Sequence, residues 1–140
     1  MSSTDPEVSV KAVPGSKGDI LLVDDDKFLL EMYALKFTQA GFSVHSSLSS
    51  AEALKALREG CKADVIVFDI IMPEGDGFYL LQTIQNEHLA KGATIIALTN
   101  EMNDEEQKRI IELGASKYIV KATLIPSEVV NSVIAEMHTK

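Results

Sequence analysis

The chain has 140 residues, a formal net charge of −8 and one cysteine, Cys61. This length suits a single domain, and one cysteine excludes an intramolecular disulfide framework and fits a reducing cytosol. The acidic balance argues against a nucleic-acid binder that neutralises phosphates with a basic face. Because the sequence has neither an apolar run of about 18 residues nor a secretory signal, we expect a cytoplasmic protein with no membrane partner.

The first 18 residues carry no sign of a regular element. They contain two prolines and two glycines among serine, threonine and lysine, with no helical or strand period (Pro6, Pro14, Gly15, Gly18). We interpret residues 1–18 as a flexible N-terminal tail and residues 19–140 as one folded domain.

Beyond the tail, short apolar runs alternate with segments whose apolar residues recur at helical spacing. The first half predicts strands over 20–23, 42–45 and 65–68, and helices over 27–40 and, capped by Ser49 or Ser50, up to 59. The second half predicts strands over 94–98 and 117–120, and helices over 78–90, up to 113 and from Pro126 onwards. Asn103 and Glu106 have the spacing of a capping box at the start of the fourth helix.

Five strands in strict alternation with five helices define the fold class. Continuous apolar strands separated by helices indicate a parallel sheet covered on both faces. Right-handed crossovers make this a doubly wound, three-layer α/β sandwich. In such a sheet, ligands bind beyond the carboxyl ends of the strands, at the switch point where strand 1 lies beside strand 3.

Polar residues stand at these strand ends. They are an acidic run after strand 1, a carboxylate after strand 3, a hydroxyl after strand 4 and an ammonium after strand 5 (Asp24, Asp25, Asp26, Asp69, Thr99, Lys121). Several carboxylates in one pocket repel each other unless a cation sits among them. Oxygen ligands select Mg²⁺, Ca²⁺ or Mn²⁺ rather than zinc.

This set of side chains suits phosphoryl transfer. A carboxylate can be the nucleophile and form an aspartyl phosphate, and Asp69 is the best candidate because its strand lies at the centre of the sheet. Lys121 would clamp one phosphoryl oxygen and Thr99 would donate to another. Each residue taken alone also has an ordinary structural role; Asp26, for example, suits the cap of the next helix.

Four segments resemble the receiver domains of two-component response regulators: ILLVDDD (20–26), VIVFDIIMPEGDGF (65–78), IIALTN (95–100) and GASKYIVKA (114–122). The resemblance covers roughly residues 19–138. It implies a flavodoxin-like fold whose five-stranded parallel sheet has the order 2-1-3-4-5 and carries five helices.

The resemblance also implies a role for each matching position. Asp69 would accept the phosphoryl group, and Mg²⁺ (or Mn²⁺) would be held by Asp24, Asp25, Asp69 and the backbone carbonyl of Ile71. Lys121 would pair with Asp69 and then with its phosphate. Thr99 would move towards the phosphate, and Tyr118 would turn inward as Thr99 moves.

Some positions depart from the family pattern or modulate it. Ala122 follows Lys121 where the family usually has proline, and a cis bond before alanine costs about 3 kcal/mol, so we expect a trans bond. Asn100 and Glu101 follow the switch threonine, and the bulk of Asn100 narrows access to the phosphoryl group. Ile71 is apolar where some relatives place a side chain able to orient water, so we expect slow self-dephosphorylation.

Together these features predict a phosphorylation-activated switch that catalyses only its own phosphorylation and dephosphorylation. Its phosphodonor would be a phosphohistidine on a sensor histidine kinase or a histidine phosphotransfer protein. Because the sequence ends at residue 140, we expect the output to be a protein partner in trans, read through helix 4, strand 5 and helix 5, or a homodimer that forms on phosphorylation. Apolar residues on more than one face of helix 1, such as Phe28 and Leu35, form either a partner surface or an exposed patch.

Three alternatives stay open. A pseudo-receiver would have the same fold but act as a phosphorylation-independent interaction module. A metal-dependent phosphohydrolase would need a second acid two residues after Asp69, where Ile71 stands. A flavin-binding protein would need a phosphate-binding loop after strand 1, where three aspartates stand.

Overall fold

Strands and helices alternate throughout the computed structural model, which describes residues 16–121 and 124–138. The strands are β1 (Asp19–Val23), β2 (Ser43–Ser47), β3 (Val65–Asp69), β4 (Thr94–Thr99) and β5 (Lys117–Val120). The helices are α1 (Lys27–Gln39), α2 (Ser50–Arg58), α3 (Gly77–Asn86), α4 (Asp104–Glu112) and α5 (Pro126–Met137).

All neighbouring strands run parallel, in the order β2-β1-β3-β4-β5. The chain therefore moves outward in one direction from β1 to β2 and in the other from β3 to β5. This arrangement confirms the predicted doubly wound topology and puts the switch point between β1 and β3.

Two apolar cores lie on opposite faces of the sheet because successive strand residues point to opposite sides. Leu21 and Val23 of β1 pack in the core formed with α2, α3 and α4. Ile20 and Leu22 pack in the core formed with α1 and α5. Every residue of β3 and β4 is buried, so the sheet is the middle layer of a three-layer sandwich.

Two predicted boundaries were wrong. Strand β2 covers Ser43–Ser47 rather than 42–45, because its pairing with β1 continues to Val23 opposite Ser47. Helix α3 ends at Asn86 rather than at 90, because His88 and Ala90 adopt positive φ angles of 56° and 48°. Neither residue is a glycine, so the local sequence gives no sign of this stop.

The start of the described chain lies against the sheet edge. The Lys17 N–H donates to the Gly41 carbonyl, and the Ser43 N–H donates to the Gly18 carbonyl, both at 2.9 Å. Residues 1–15 of the predicted tail lie outside the described residues, so the domain division stays a prediction. Within the described ranges, no helix is both long and apolar enough to cross a lipid bilayer.

Candidate functional site

Three carboxylates meet at the carboxyl ends of β1 and β3. Val23 pairs with Phe68 in the register of these two strands, so Asp24 and Asp69 are the next residues along their respective strands. Asp24, Asp25 and Asp69 each offer one carboxylate oxygen within 4.8 Å of the others. Asp24 and Asp69 are buried and Asp25 is exposed, so the cluster has a closed inner side and an open outer side.

Lys121 brings a cation into this cluster from the far side of the sheet. It directly follows β5, and its side chain reaches across the end of β4 to the two buried acids. The Lys121 Nζ lies 3.1 Å from Asp24 Oδ2 and 3.2 Å from Asp69 Oδ2. All three side chains are almost completely buried, so solvent does not screen these contacts.

One ammonium between two buried carboxylates leaves an excess of negative charge. Burial raises the pKa of Asp69; Lys121 acts against this rise, and Asp24 adds to it. Burial by itself lowers the pKa of Lys121, but attraction to Asp69 and Asp24 outweighs it, so that the pKa is raised overall. The lysine therefore stays charged while the two acids compete for it.

Backbone hydrogen bonds orient the carboxylates. Asp24 Oδ1 accepts from the Asp26 N–H at 2.9 Å, and Asp69 Oδ1 accepts from the Ile71 N–H at 3.3 Å. Each buried acid thus has one oxygen bonded to backbone and the other to Lys121. The Asp26 side chain accepts from the Leu29 N–H and caps α1, which confirms its predicted structural role.

The loop between β3 and α3 is tied to the scaffold on both sides. The Gly77 N–H donates to the Ile70 carbonyl at 2.7 Å, and the buried Ser50 hydroxyl donates to the Gly75 carbonyl at 2.7 Å. A Cβ atom at Gly77 would lie 2.8 Å from the Ile70 Cα, so no larger side chain fits there. The sequence suggested the loop glycines, but it offered Ser50 only as a possible helix cap, a role that Ser49 fills. It gave no signal for the contact between Ser50 and Gly75, which spans 25 residues.

The switch candidates Thr99 and Tyr118 meet at a third side chain, Glu106. Glu106 Oε1 accepts from the Thr99 hydroxyl at 3.2 Å and from the Tyr118 hydroxyl at 2.9 Å. The Asn103 side chain caps α4 through the Glu106 N–H as predicted, but the capping box is not completed. The Asn103 N–H instead donates to the Tyr118 hydroxyl oxygen at 3.2 Å.

The remaining predicted positions lie around this pocket. Asn100 and Glu101 are exposed in the loop after β4, and the Glu101 carbonyl lies 3.3 Å from the Thr99 hydroxyl. The Ile71 side chain is largely exposed in the loop after β3. Ala122 and its bond to Lys121 lie outside the described residues, so the expectation of a trans bond stays a prediction.

The donor atoms of the cluster fit a hard divalent cation. Asp24, Asp25 and Asp69 supply only oxygen, and one of them is open to solvent, as a metal that keeps several water ligands requires. The Lys121 ammonium offsets part of the charge of the two inner acids. The residues therefore form an acidic pocket with one amine, suited to binding Mg²⁺ and a phosphoryl group side by side.

Sequence comparison identifies a family and relatives of this chain. The family described as response regulator receiver domain matches residues 20–133. The chain is 34% identical over 102 residues to the transcriptional regulatory protein GltR of Pseudomonas aeruginosa, covering 73% of this chain and 42% of that protein. It is 33% identical to the transcriptional regulatory protein GlrR of Escherichia coli, covering 73% of this chain and 22% of that protein. The chain thus spans less than half the length of either relative.

Solved structures of response regulators have a fold similar to that of this chain. The chemotaxis protein CheY4 of Vibrio cholerae superposes with a TM-score of 0.77 at 25% identity, covering 84% of this chain and 97% of that one. A CheY-like receiver domain protein from Methanospirillum hungatei gives a TM-score of 0.79 at 24% identity, covering 89% and 96%. At 24% identity, the similarity to the Methanospirillum hungatei protein shows a shared fold and no more.

Proposed function

This chain belongs to the response regulator receiver domain family, and we propose that it is a switch activated by phosphorylation of Asp69. One observation carries the proposal. The buried Asp69 carboxylate lies 3.2 Å from the Lys121 ammonium, and one of its oxygens lies within 4.8 Å of a carboxylate oxygen of Asp24 and of Asp25. The family supplies the general role of such a pocket in two-component signalling.

The chemistry requires one bond to form and one to break. A carboxylate oxygen of Asp69 attacks the phosphorus of a phosphohistidine, an O–P bond forms and the P–N bond breaks, and the leaving imidazole keeps the electron pair. Lys121 already bonds to Asp69 Oδ2 and is placed to bond a phosphoryl oxygen as charge moves onto it. Its burial keeps water from weakening that attraction.

We propose that Asp24, Asp25, Asp69 and the backbone carbonyl of Ile71 hold Mg²⁺. When bound, the ion neutralises the phosphoryl oxygens and so allows an anionic nucleophile to approach an anionic group. The Asp26 and Ile71 N–H groups donate to Asp24 and Asp69, respectively, and so fix the direction of the carboxylates.

The phosphodonor in this proposal is a protein, a sensor histidine kinase or a histidine phosphotransfer protein. Support comes from four large apolar side chains, one after each of β1, β3 and β4 and one just before α5, which are 75%, 63%, 61% and 61% exposed (Phe28, Ile71, Met102, Ile125). All four lie at the edge of the sheet that holds Asp69. An apolar rim around a charged pocket is typical of a surface that a protein partner covers.

The substitution Phe28→Gln tests whether the phosphodonor docks on this apolar rim. We expect an autophosphorylated histidine kinase that phosphorylates the wild type to transfer its phosphoryl group to this variant more slowly. Phosphorylation by phosphoramidate should stay unchanged. Leu35→Gln is the matched control, since Leu35 is 55% exposed on the same helix, seven residues further from the pocket. Equal slowing by both variants would argue against docking at the rim.

The output in this proposal is a change in the surface of α4, β5 and α5. Glu106 on α4 accepts hydrogen bonds from both Thr99 and Tyr118 of β5, so a movement of Thr99 changes a contact of that surface. We propose that the surface binds a protein partner in trans or a second copy of the chain, in the cytoplasm, without nucleic acid. The domain would modify only itself and turn over no small substrate.

Phosphoryl uptake distinguishes the switch from a pseudo-receiver. Intact mass is measured after incubation with phosphoramidate or acetyl phosphate, with Mg²⁺ or with a chelator. We expect one added phosphoryl group on the wild type, only when Mg²⁺ is present, and none on Asp69→Asn. A wild type that takes up no phosphate from either donor would favour the phosphorylation-independent interaction module.

A further inference from the structure

The carboxylate of Glu106 is bonded to both switch candidates at once. Glu106 is the third residue of α4 and half-buried, and its Oε1 accepts from the Thr99 hydroxyl and the Tyr118 hydroxyl. The sequence places Glu106 where it would close a capping box, but its carboxylate is turned away from the Asn103 N–H towards the end of β4. The residue thus connects the pocket to α4.

The Thr99 hydroxyl has a single proton to donate. Two acceptors within its reach are Glu106 Oε1 at 3.2 Å and the Glu101 carbonyl at 3.3 Å. Both lie on the α4 side of the threonine, whereas Asp69 pairs with Leu98, the residue just before Thr99. Because bonds to ionised acceptors are stronger than bonds to neutral ones, Glu106 is the stronger competitor for this proton.

Tyr118 has a complete set of partners that includes the same carboxylate. Its hydroxyl oxygen accepts from the Asn103 N–H at 3.2 Å and donates to Glu106 Oε1 at 2.9 Å, shorter than its distance of 3.3 Å to the Glu101 carbonyl. Glu106 therefore keeps a partner when Thr99 leaves it. If the hydrogen bond from Thr99 is lost, the Glu106 carboxylate still accepts from the Tyr118 hydroxyl.

We propose that Glu106 is a positioning residue that competes with the phosphoryl group for the Thr99 hydroxyl. It would thereby set how readily phosphorylation moves Thr99 and triggers the conformational change. This inference rests on the proposed function of Asp69. Without phosphate, Glu106 holds Thr99 on the side of α4. With phosphate, Thr99 donates to a phosphoryl oxygen, and the first turn of α4 keeps its hydrogen bond to the sheet through Tyr118.

The competition is measurable at equilibrium with beryllofluoride, a stable phosphoryl analogue, in the presence of Mg²⁺. Glu106→Gln keeps the shape of the side chain and an oxygen acceptor but removes the charge. We expect beryllofluoride to bind this variant about fivefold more tightly than the wild type, because a neutral acceptor holds Thr99 less strongly. Titration followed by calorimetry gives the dissociation constants.

Two further variants separate this role from a structural one. Glu105→Gln removes the same charge from the same helical turn at an exposed position, and we expect no change in the dissociation constant. In a Thr99→Ala background, Glu106→Gln should also have no effect, since no hydroxyl is left to compete for.

The outcomes are distinct. Tighter binding that persists without the Thr99 hydroxyl, or that Glu105→Gln reproduces, would overturn the inference. An unchanged constant in Glu106→Gln would overturn it too, while a wild type that still binds beryllofluoride leaves the proposed function standing. A wild type that binds no beryllofluoride would overturn both.

Discussion

The Lys121 ammonium lies 3.2 Å from Oδ2 of Asp69, in a buried contact that spans 52 residues of sequence. A second carboxylate, that of Asp24, lies 3.1 Å from the same nitrogen. Two acids therefore share one base in a site that solvent scarcely reaches. This imbalance has consequences for stability, for metal binding and for the chemistry of the site.

Removing the base is expected to destabilise the fold strongly. Lys121→Met leaves two buried carboxylates without a counter-charge, and the loss of one partner from a buried ionic contact typically costs about 3–5 kcal/mol. Urea unfolding in the presence of a chelator measures the effect. Added Mg²⁺ should restore part of the lost stability, since it supplies positive charge to the same carboxylates.

Removing one acid should change the stability of the fold much less. Asp24→Asn keeps an oxygen for the Asp26 N–H and leaves a matched pair, Lys121 and Asp69, so we expect a change within about 1 kcal/mol. Unfolding under the same conditions gives the comparison. A larger loss of stability for Asp24→Asn than for Lys121→Met would contradict this description of the charges.

Divalent metal affinity should depend on the exposed acid of the cluster. We expect Asp25→Asn to weaken Mn²⁺ binding by at least about tenfold, equivalent to about 1.4 kcal/mol, because one charged oxygen ligand is lost. Asp26→Asn is the matched control, since asparagine caps a helix as well as aspartate does and the same charge is removed one residue away. Mn²⁺ titration by electron paramagnetic resonance measures both, and equal weakening would show that net charge rather than ligation is responsible.

Much of the fold and the pocket was predictable because the signals are local. Apolar runs bounded by aspartate, threonine or lysine marked the strand ends, and parallel topology brings those ends together. Asp24, Asp25, Asp69 and Lys121 accordingly meet as expected. The strand order was confirmed as well.

What the sequence did not reveal depends either on unusual backbone angles at non-glycine residues or on contacts between distant segments. The end of α3 depends on positive φ angles at His88 and Ala90, and the extension of β2 to Ser47 depends on pairing with β1. Glu106 showed the spacing of a helix cap, yet its side chain bonds to Tyr118, 12 residues away. Short-range patterns cannot show which of two available partners a carboxylate takes.

Alkaline pH should test the Tyr118 contact. Burial, followed by the hydrogen bond to Glu106, raises the pKa of the Tyr118 phenol, so the neutral phenol is favoured in the folded state. Its contribution to stability is complete below the unfolded pKa of about 10 and is lost as pH rises through the folded pKa. Phenolate absorbance, with Tyr118→Phe subtracted, follows this ionisation. Glu106→Gln should lower the pKa and Glu105→Gln should not; no shift in Glu106→Gln would contradict the contact.

The phosphoryl lifetime should respond to the exposed side chain after β3. Ile71 cannot hydrogen-bond a water molecule, so we expect Ile71→Asn to shorten the lifetime severalfold by orienting water towards the phosphoryl group. Ile71→Val, which changes size but not polarity, should leave the lifetime nearly unchanged. Decay of the phosphorylated mass after removal of the donor gives both rates, and a lifetime in Ile71→Asn equal to that of the wild type would contradict the expectation.

Chemical trapping tests whether Asp69 itself carries the phosphoryl group. Borohydride transfers two hydrides to the acyl carbon of an aspartyl phosphate: the first displaces phosphate to give an aldehyde, and the second, with a proton from water, gives homoserine at that position. After phosphorylation with phosphoramidate and Mg²⁺, peptide mass spectrometry should find homoserine at position 69 and aspartate at positions 24 and 25. Homoserine at position 24 or 25, or a phosphoryl group on a serine, threonine or histidine that resists borohydride, would show that Asp69 is not the acceptor.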